Sequence, residues 1–370
     1  MAGTCIEGVR MPKWGMSMTH GKVVQWLVSE GELVSSETDV VEIETEKITG
    51  AVAAPAAGVL RRHVAPPGDE IPVGGLLAVI ADAETSDEAI DVFAEQAADQ
   101  GPEEQGESQT AVPETIELGG RSIRYLKRGE GLPAVVLIHG FGGNLNNWLF
   151  NHELLATGRT VYALDLPGHG QSSKDVSDGS LAMLVQCVLD WLDAIGLTEV
   201  HLVGHSLGGA IAVDTAYRAA DRVKSCTLLA SAGLGVEIDN EFIETLVQAS
   251  RRKQLKPQLE KLFNDPEQVT RQLVEELLKF KRMDGVQSAL HAIAEQFVVD
   301  GHQVINVRDQ LQQLAMPTLV LWGQEDQIIP ATHAQSLPDS VTVKVLPGCG
   351  HMVHMEAFSD VNRAMEQLWK

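Results

Sequence analysis

Apolar residues are distributed along the chain in two regimes. Up to about Ile80 they come in short runs parted by Gly-Glu or Gly-Asp pairs, the pattern of short strands joined by tight turns. An internal repeat at an offset of 37 residues underlies this. Gly21 matches Gly58, Val23 matches Leu60 and Gly31-Glu32 matches Gly68-Asp69; Val34, Val40 and Ile43 match Ile71, Leu77 and Ile80. Each half predicts strand, turn, strand, and two such halves closing on one core predict an all-β half-barrel domain over residues 1–80. Lys47 falls at the hairpin tip of one half, at the position where the chain enters and leaves the other half.

From about Pro113 the period changes. Apolar runs at Ala134–Ile138, Thr160–Leu164, Glu199–Val203, Val223–Leu229, Thr318–Trp322 and Thr342–Leu346 alternate with amphipathic stretches. That alternation predicts an α/β domain over 113–370, with a mostly parallel sheet covered on both faces. Residues 236–316 contain no clear strand and carry leucine at helical spacing, so they predict a helical cap over the sheet's carboxyl edge. Residues 81–112, with ten Asp or Glu and no Lys or Arg, predict a solvated, self-repelling acidic linker. A flexible chain of that length spans on the order of 30 Å, which suits a tether serving more than one site.

Composition narrows the function. A net charge of −23 over 370 residues argues against nucleic acid as a partner, because phosphate neutralisation needs Lys and Arg. No apolar run approaches the roughly 18 residues of a membrane span, and no secretory signal opens the chain. Cys5, Cys187, Cys226 and Cys349 are scattered without metal-like spacing, which fits a reducing cytoplasm. His351 and His354 lack a third ligand at metal spacing, so no metal is expected.

The chemistry lies in two places. Gly204-His205-Ser206-Leu207-Gly208 follows the run ending at Val203 and precedes a helix-like Ala210-Ile211-Ala212. It reads as a nucleophile elbow, with Ser206 on a tight turn above a helix N-terminus. A serine nucleophile needs a base and a group that orients the base. His351, in Pro347-Gly348-Cys349-Gly350-His351, is the candidate base; Asp326 follows the Thr318–Trp322 strand as the candidate acid, with Glu325 its rival. The backbone N–H of Leu207 is one expected oxyanion donor and that of Phe141, in His139-Gly140-Phe141-Gly142-Gly143, the other. His139 is expected to brace that loop, while His205 and Cys349 read as packed side chains.

These motifs carry three resemblances. Residues 11–21 together with Glu44-Thr45-Glu46-Lys47-Ile48 resemble the lipoyl domains of 2-oxo-acid dehydrogenase complexes. Biotinyl domains usually flank their lysine with methionines, so the resemblance implies lipoate on Lys47. The elbow, His139-Gly140, Pro167-Gly168-His169-Gly170 and the order serine, acid, histidine resemble α/β-hydrolases, whose spacing favours Asp326 over Glu325. The combination resembles the dihydrolipoyl acetyltransferase components of bacterial acetoin dehydrogenase complexes. It implies acetyl transfer from the arm on Lys47 to coenzyme A. It also implies two partners, a thiamine-diphosphate-dependent acetoin dehydrogenase component and a dihydrolipoyl dehydrogenase. The His-x-x-x-Asp-Gly motif of other such acyltransferases is missing, since Phe280 stands where the histidine of Asp284-Gly285 belongs. Nor does the linker hold a recognisable subunit-binding segment. The C-terminal half alone is equally compatible with a carrier-fused hydrolase that cleaves a thioester, an ester or a carbon–carbon bond.

Overall fold

A computed structural model describes residues 6–12, 18–35, 38–45, 49–99 and 111–370. The chain divides into two compact units, 1–110 and 111–370.

The first unit consists of β1 (Ile6–Arg10), β2 (His20–Trp26), β3 (Leu33–Val34), β4 (Asp39–Glu44), β5 (Thr49–Ala53), β6 (Gly58–His63), β7 (Glu70–Pro72) and β8 (Leu76–Ala81). They form two antiparallel four-stranded sheets, ordered β1-β8-β6-β3 and β5-β4-β2-β7. The sequence repeat maps one sheet onto the other: β2 and β4 pair as β6 and β8 do, and each half lends its short strand to the opposite sheet. Packing repeats as well. A Cβ on Gly21 would press on Ile43 at 2.8 Å, and one on its counterpart Gly58 on Ile80, also at 2.8 Å. Gly31 and Gly68, equivalent turn residues, take φ of 91° and 98°, open to glycine and strained for most other residues. Val23, Val40, Ile43, Leu60, Leu77 and Ile80 are essentially inaccessible and make the shared core.

The segment expected to be a spacer from Ala81 onward is structured over its first part. Asp87–Asp99 forms α1. Ile90 and Ala97 of this helix are buried in a cluster with Leu76 and Val79 of β8, and Phe93 packs against it. Arg61 and Arg62 of β6 pair with Asp87 and Asp91. A few apolar residues at helical spacing outweigh the acidic composition, because two basic residues on the carrier take up part of the charge.

The second unit contains one sheet of β9 (Glu114–Leu118), β10 (Arg121–Arg128), β11 (Ala134–Ile138), β12 (Val161–Leu164), β13 (Val200–His205), β14 (Val223–Leu229), β17 (Thr318–Gly323) and β18 (Val341–Leu346), in the order β18-β17-β14-β13-β11-β12-β10-β9. Strands β11 to β14, β17 and β18 are parallel; β10 and β9 extend the sheet antiparallel. The fully buried strands β11, β12, β13 and β17 read as largely apolar runs for that reason. The order reverses beside β11, with β12 on one flank and β13 on the other, and ligand crevices form at such switch points.

Helices α2 (Leu149–Leu155), α3 (Leu181–Ile195) and α4 (Leu207–Arg218) follow β11, β12 and β13. The 236–316 insertion holds α5 (Asn240–Gln248), α6 (Arg252–Glu260), α7 (Arg271–Lys281), α8 (Val286–Phe297) and α9 (Arg308–Gln313). It departs from the expected all-helical character at β15 (Val298–Val299) and β16 (His302–Gln303), a two-residue antiparallel pair. Gln303 explains the pair's place. Its N–H donates to Val236 O, its Oε1 accepts from Gly233 N and its Nε2 donates to Glu237 O, so it ties the insertion's exit to its entry. Helices α10 (Val353–Glu356) and α11 (Phe358–Leu368) close the chain. Among the described residues no helix is long and apolar enough to cross a membrane.

Candidate active site

Ser206 stands between β13 and α4 with φ 53° and ψ −120°. A left-handed backbone of this kind costs a non-glycine residue about 1–3 kcal/mol and persists only where its surroundings enforce it. Here Ser206 N donates to Leu229 O at 3.0 Å, and Ser206 O accepts from Gly209 N and Ala232 N, each at 2.9 Å. The elbow glycines are steric necessities. A Cβ on Gly204 would strike the carbonyl of Gly208, and a Cβ on Gly208 the carbonyl of Ile138. The turn delivers Ser206 to the carboxyl end of β13, at the positive end of the α4 dipole.

Asp326 and His351 lie in the loops after β17 and β18. His351 Nδ1 donates to Asp326 Oδ2 at 2.8 Å, and Trp322 Nε1 donates to the same oxygen at 3.0 Å. Asp326 Oδ1 accepts from Ile328 N and Ile329 N at 2.8 and 3.0 Å. The carboxylate is wholly shielded from solvent and the imidazole nearly so. Because Nδ1 carries the donated proton, Nε2 is the basic nitrogen of the neutral ring. Glu325 points elsewhere: its carboxylate accepts from Cys349 N at 3.1 Å, and its own N–H donates to Cys349 O. Asp326, not Glu325, meets His351.

The loop after β11 approaches the elbow directly. A Cβ on Gly140 would lie 2.9 Å from Ser206 Cβ and 3.1 Å from His205 Nδ1. His139 braces this loop: its Nε2 accepts from Leu166 N at 3.1 Å and its Nδ1 donates to Gly140 O at 2.7 Å. Complete burial pushes His139 down to about 4, so it holds both bonds as a neutral ring. Phe141 lies edge-on to His169 and tilted against Phe297 of α8, while Gly142, with φ 73°, sits under Leu246 of α5. Leu207 is the first residue of α4, where N–H groups have no intrahelical partner. Thus Gly140, after β11, and Ser206, after β13, meet at adjacent strand ends, with Leu207 next in the chain. Lys47 lies outside the described residues; the flanking β4 and β5 pair with Glu44 opposite Thr49.

Three supporting roles escaped the sequence reading. Trp322 was legible only as the end of a strand, yet its indole N–H holds Asp326. Glu325 and Glu356 both bind backbone N–H groups of the histidine loop, Glu356 receiving Gly350 N at 2.7 Å. Burial raises the Glu356 carboxyl above its usual range. Spacing carries no signal for such bonds, because they depend on which way two long loops turn.

Comparison with known proteins agrees with this architecture. Residues 133–358 match the alpha/beta hydrolase fold family, and residues 7–80 match the family of biotin-requiring enzymes that includes lipoyl carriers. A meta-cleavage product hydrolase from Pseudomonas fluorescens IP01 superposes with a TM-score of 0.63 over 69% of this chain and 97% of its own, at 24% identity, a likeness of fold alone. The class is therefore an α/β-hydrolase-fold enzyme joined to a lipoyl-type carrier domain. The dihydrolipoyllysine-residue acetyltransferase component of the acetoin cleaving system of Pseudomonas putida is 46% identical, over 97% of both chains. Its counterpart from Cupriavidus necator is 43% identical, over 96% of both. This chain belongs to that family of dihydrolipoyllysine-residue acetyltransferases.

Proposed function

We propose that Ser206, His351 and Asp326 act as a covalent acyl-transfer triad that moves acetyl from a lipoyl arm on Lys47 to coenzyme A. The observation that carries this reading is the shielded Asp326–His351 pair beside the strained, buried Ser206, whose neighbour His205 bonds the main-chain oxygen of His351. The β4–β5 pair suits the arm, since its last partners, Glu44 and Thr49, flank the short segment of the sequence that holds Lys47. When attached, the arm supplies an acetyl thioester.

In this reading Ser206 Oγ attacks the thioester carbon while its proton passes to His351 Nε2. The N–H groups of Leu207 and Phe141 receive the oxyanion. As the C–S bond breaks, His351 would return the proton to the departing sulfur, leaving the acetyl on Ser206. Coenzyme A then gives its thiol proton to His351, attacks the ester carbon and releases Ser206 with the proton returned. Asp326 keeps Nδ1 protonated and stabilises the imidazolium formed in each half. The insertion between 236 and 316 excludes water from the acyl-enzyme, its α5 and α8 resting on the Phe141 loop. In this reading the protein works in the cytoplasm with a thiamine-diphosphate-dependent component that loads the arm and a dihydrolipoyl dehydrogenase that reoxidises it.

Acid quenching during turnover, followed by peptide mass analysis, tests the covalent step. The reading expects an added acetyl on the Ser206 peptide that vanishes on adding coenzyme A; full-rate transfer by Ser206→Ala contradicts it.

A further inference from the structure

Ser206 and His351 belong to loops far apart in sequence, and their alignment needs a direct link. His205 supplies one. It is peptide-bonded to Ser206, and its Nε2 lies 3.0 Å from the main-chain oxygen of His351. A carbonyl only accepts, so Nε2 carries the proton and donates. The ring is 4% exposed, packs against the His351 ring at 4.7 Å between centroids and against His354 at 4.5 Å. Trp148 backs His354 at 4.6 Å. On the other side Gly140 leaves room for Nδ1, where a Cβ would come to 3.1 Å.

We infer that His205 is a positioning residue, a strut between the elbow and the base loop that sets His351 against Ser206. This rests on the proposed roles of Ser206 and His351. The strut must stay uncharged, because a second cation beside His351 would oppose formation of its imidazolium. Burial, reinforced by His354 and His351, keeps His205 well below the usual histidine range, and burial holds His354 down to about 3. The other titratable groups around this cluster are His139, neutral for the same reason, and Asp326 and Glu356 on the acid side.

The test uses the full-length protein and p-nitrophenyl acetate, which acylates a competent serine without lipoyl or coenzyme A. It therefore reads the strut even if acetyl transfer itself fails. His205→Gln keeps an N–H donor at the same reach; His205→Phe keeps ring volume and loses the donor. We expect Gln to retain the acylation rate within about 3-fold, and Phe to lose 10- to 100-fold in kcat with little change in KM. A Phe variant at the wild-type rate overturns the inference. So does an equal fall in both variants, which marks His205 as mere packing.

Discussion

Asp326 divides its two oxygens between two tasks: Oδ2 accepts from His351 Nδ1 at 2.8 Å, and Oδ1 accepts from the successive amides of Ile328 and Ile329. The amides fix the carboxylate, and the fixed carboxylate fixes the tautomer of the ring. Asp326→Asn should therefore leave the loop folded and cut kcat by about 10³–10⁴-fold, since an amide can stabilise the wrong tautomer. Glu325→Gln, which still accepts from Cys349 N, should stay within about 10-fold. Steady-state kinetics of the two variants side by side checks the division of labour.

Adjacent carboxylates such as Glu325 and Asp326 mark the limit of what the sequence told. The elbow, the strand–helix alternation and the 37-residue repeat (Gly21 to Gly58) are local or periodic, and they were legible. Which carboxylate turns inward depends on the loop closing over Cys349; family spacing favoured Asp326, but the two residues themselves left the choice open. Strand β10 was hidden because Arg121, Arg124, Lys127 and Arg128 interrupt its apolar positions. The docking of helix α1 was hidden by its acidic composition, although Ile90, Phe93 and Ala97 already lay at spacings of three and four.

The docking of α1 has a thermodynamic consequence. Ile90 is 1% exposed against Leu76 and Val79, so Ile90→Ala should cost the carrier unit about 2–4 kcal/mol. Calorimetry of the full chain should show the carrier transition moving down and the second unit's transition unmoved. A carrier transition that stays in place means α1 contributes nothing to it.

Gly204→Ala sets a Cβ against the carbonyl of Gly208. Backbone on both sides cannot yield as a side chain can, so the elbow should open, with roughly 1–3 kcal/mol or more of lost stability. Phosphonylation of Ser206 by an active-site-directed fluorophosphonate, which loses fluoride in the step, should fall to background. Normal labelling would show that the turn tolerates the methyl group.

Buried histidines make the second unit acid-sensitive. Burial lowers His139, His152 and His201 to about 4, and His169 and His354 to about 3. Their unfolded counterparts titrate near 6.5. Between those limits the unfolded chain binds more protons, so stability is full above about pH 6.5 and falls as pH drops toward 4 and 3. Melting temperatures across that window should decline with proton uptake on unfolding. A flat profile between pH 6.5 and 4 would mean these rings are already charged in the fold.

Acetyl transfer from carrier to coenzyme A is the central claim, and product partition measures it most directly. Lipoylated protein, acetylated on its arm, is incubated with and without coenzyme A, and acetyl-CoA is quantified against free acetate. The account predicts acetyl-CoA as the main product, lost in both Lys47→Ala and Ser206→Ala, with little acetate in the absence of coenzyme A. Acetate released at the same rate whether or not coenzyme A is present would make the protein a carrier-fused hydrolase.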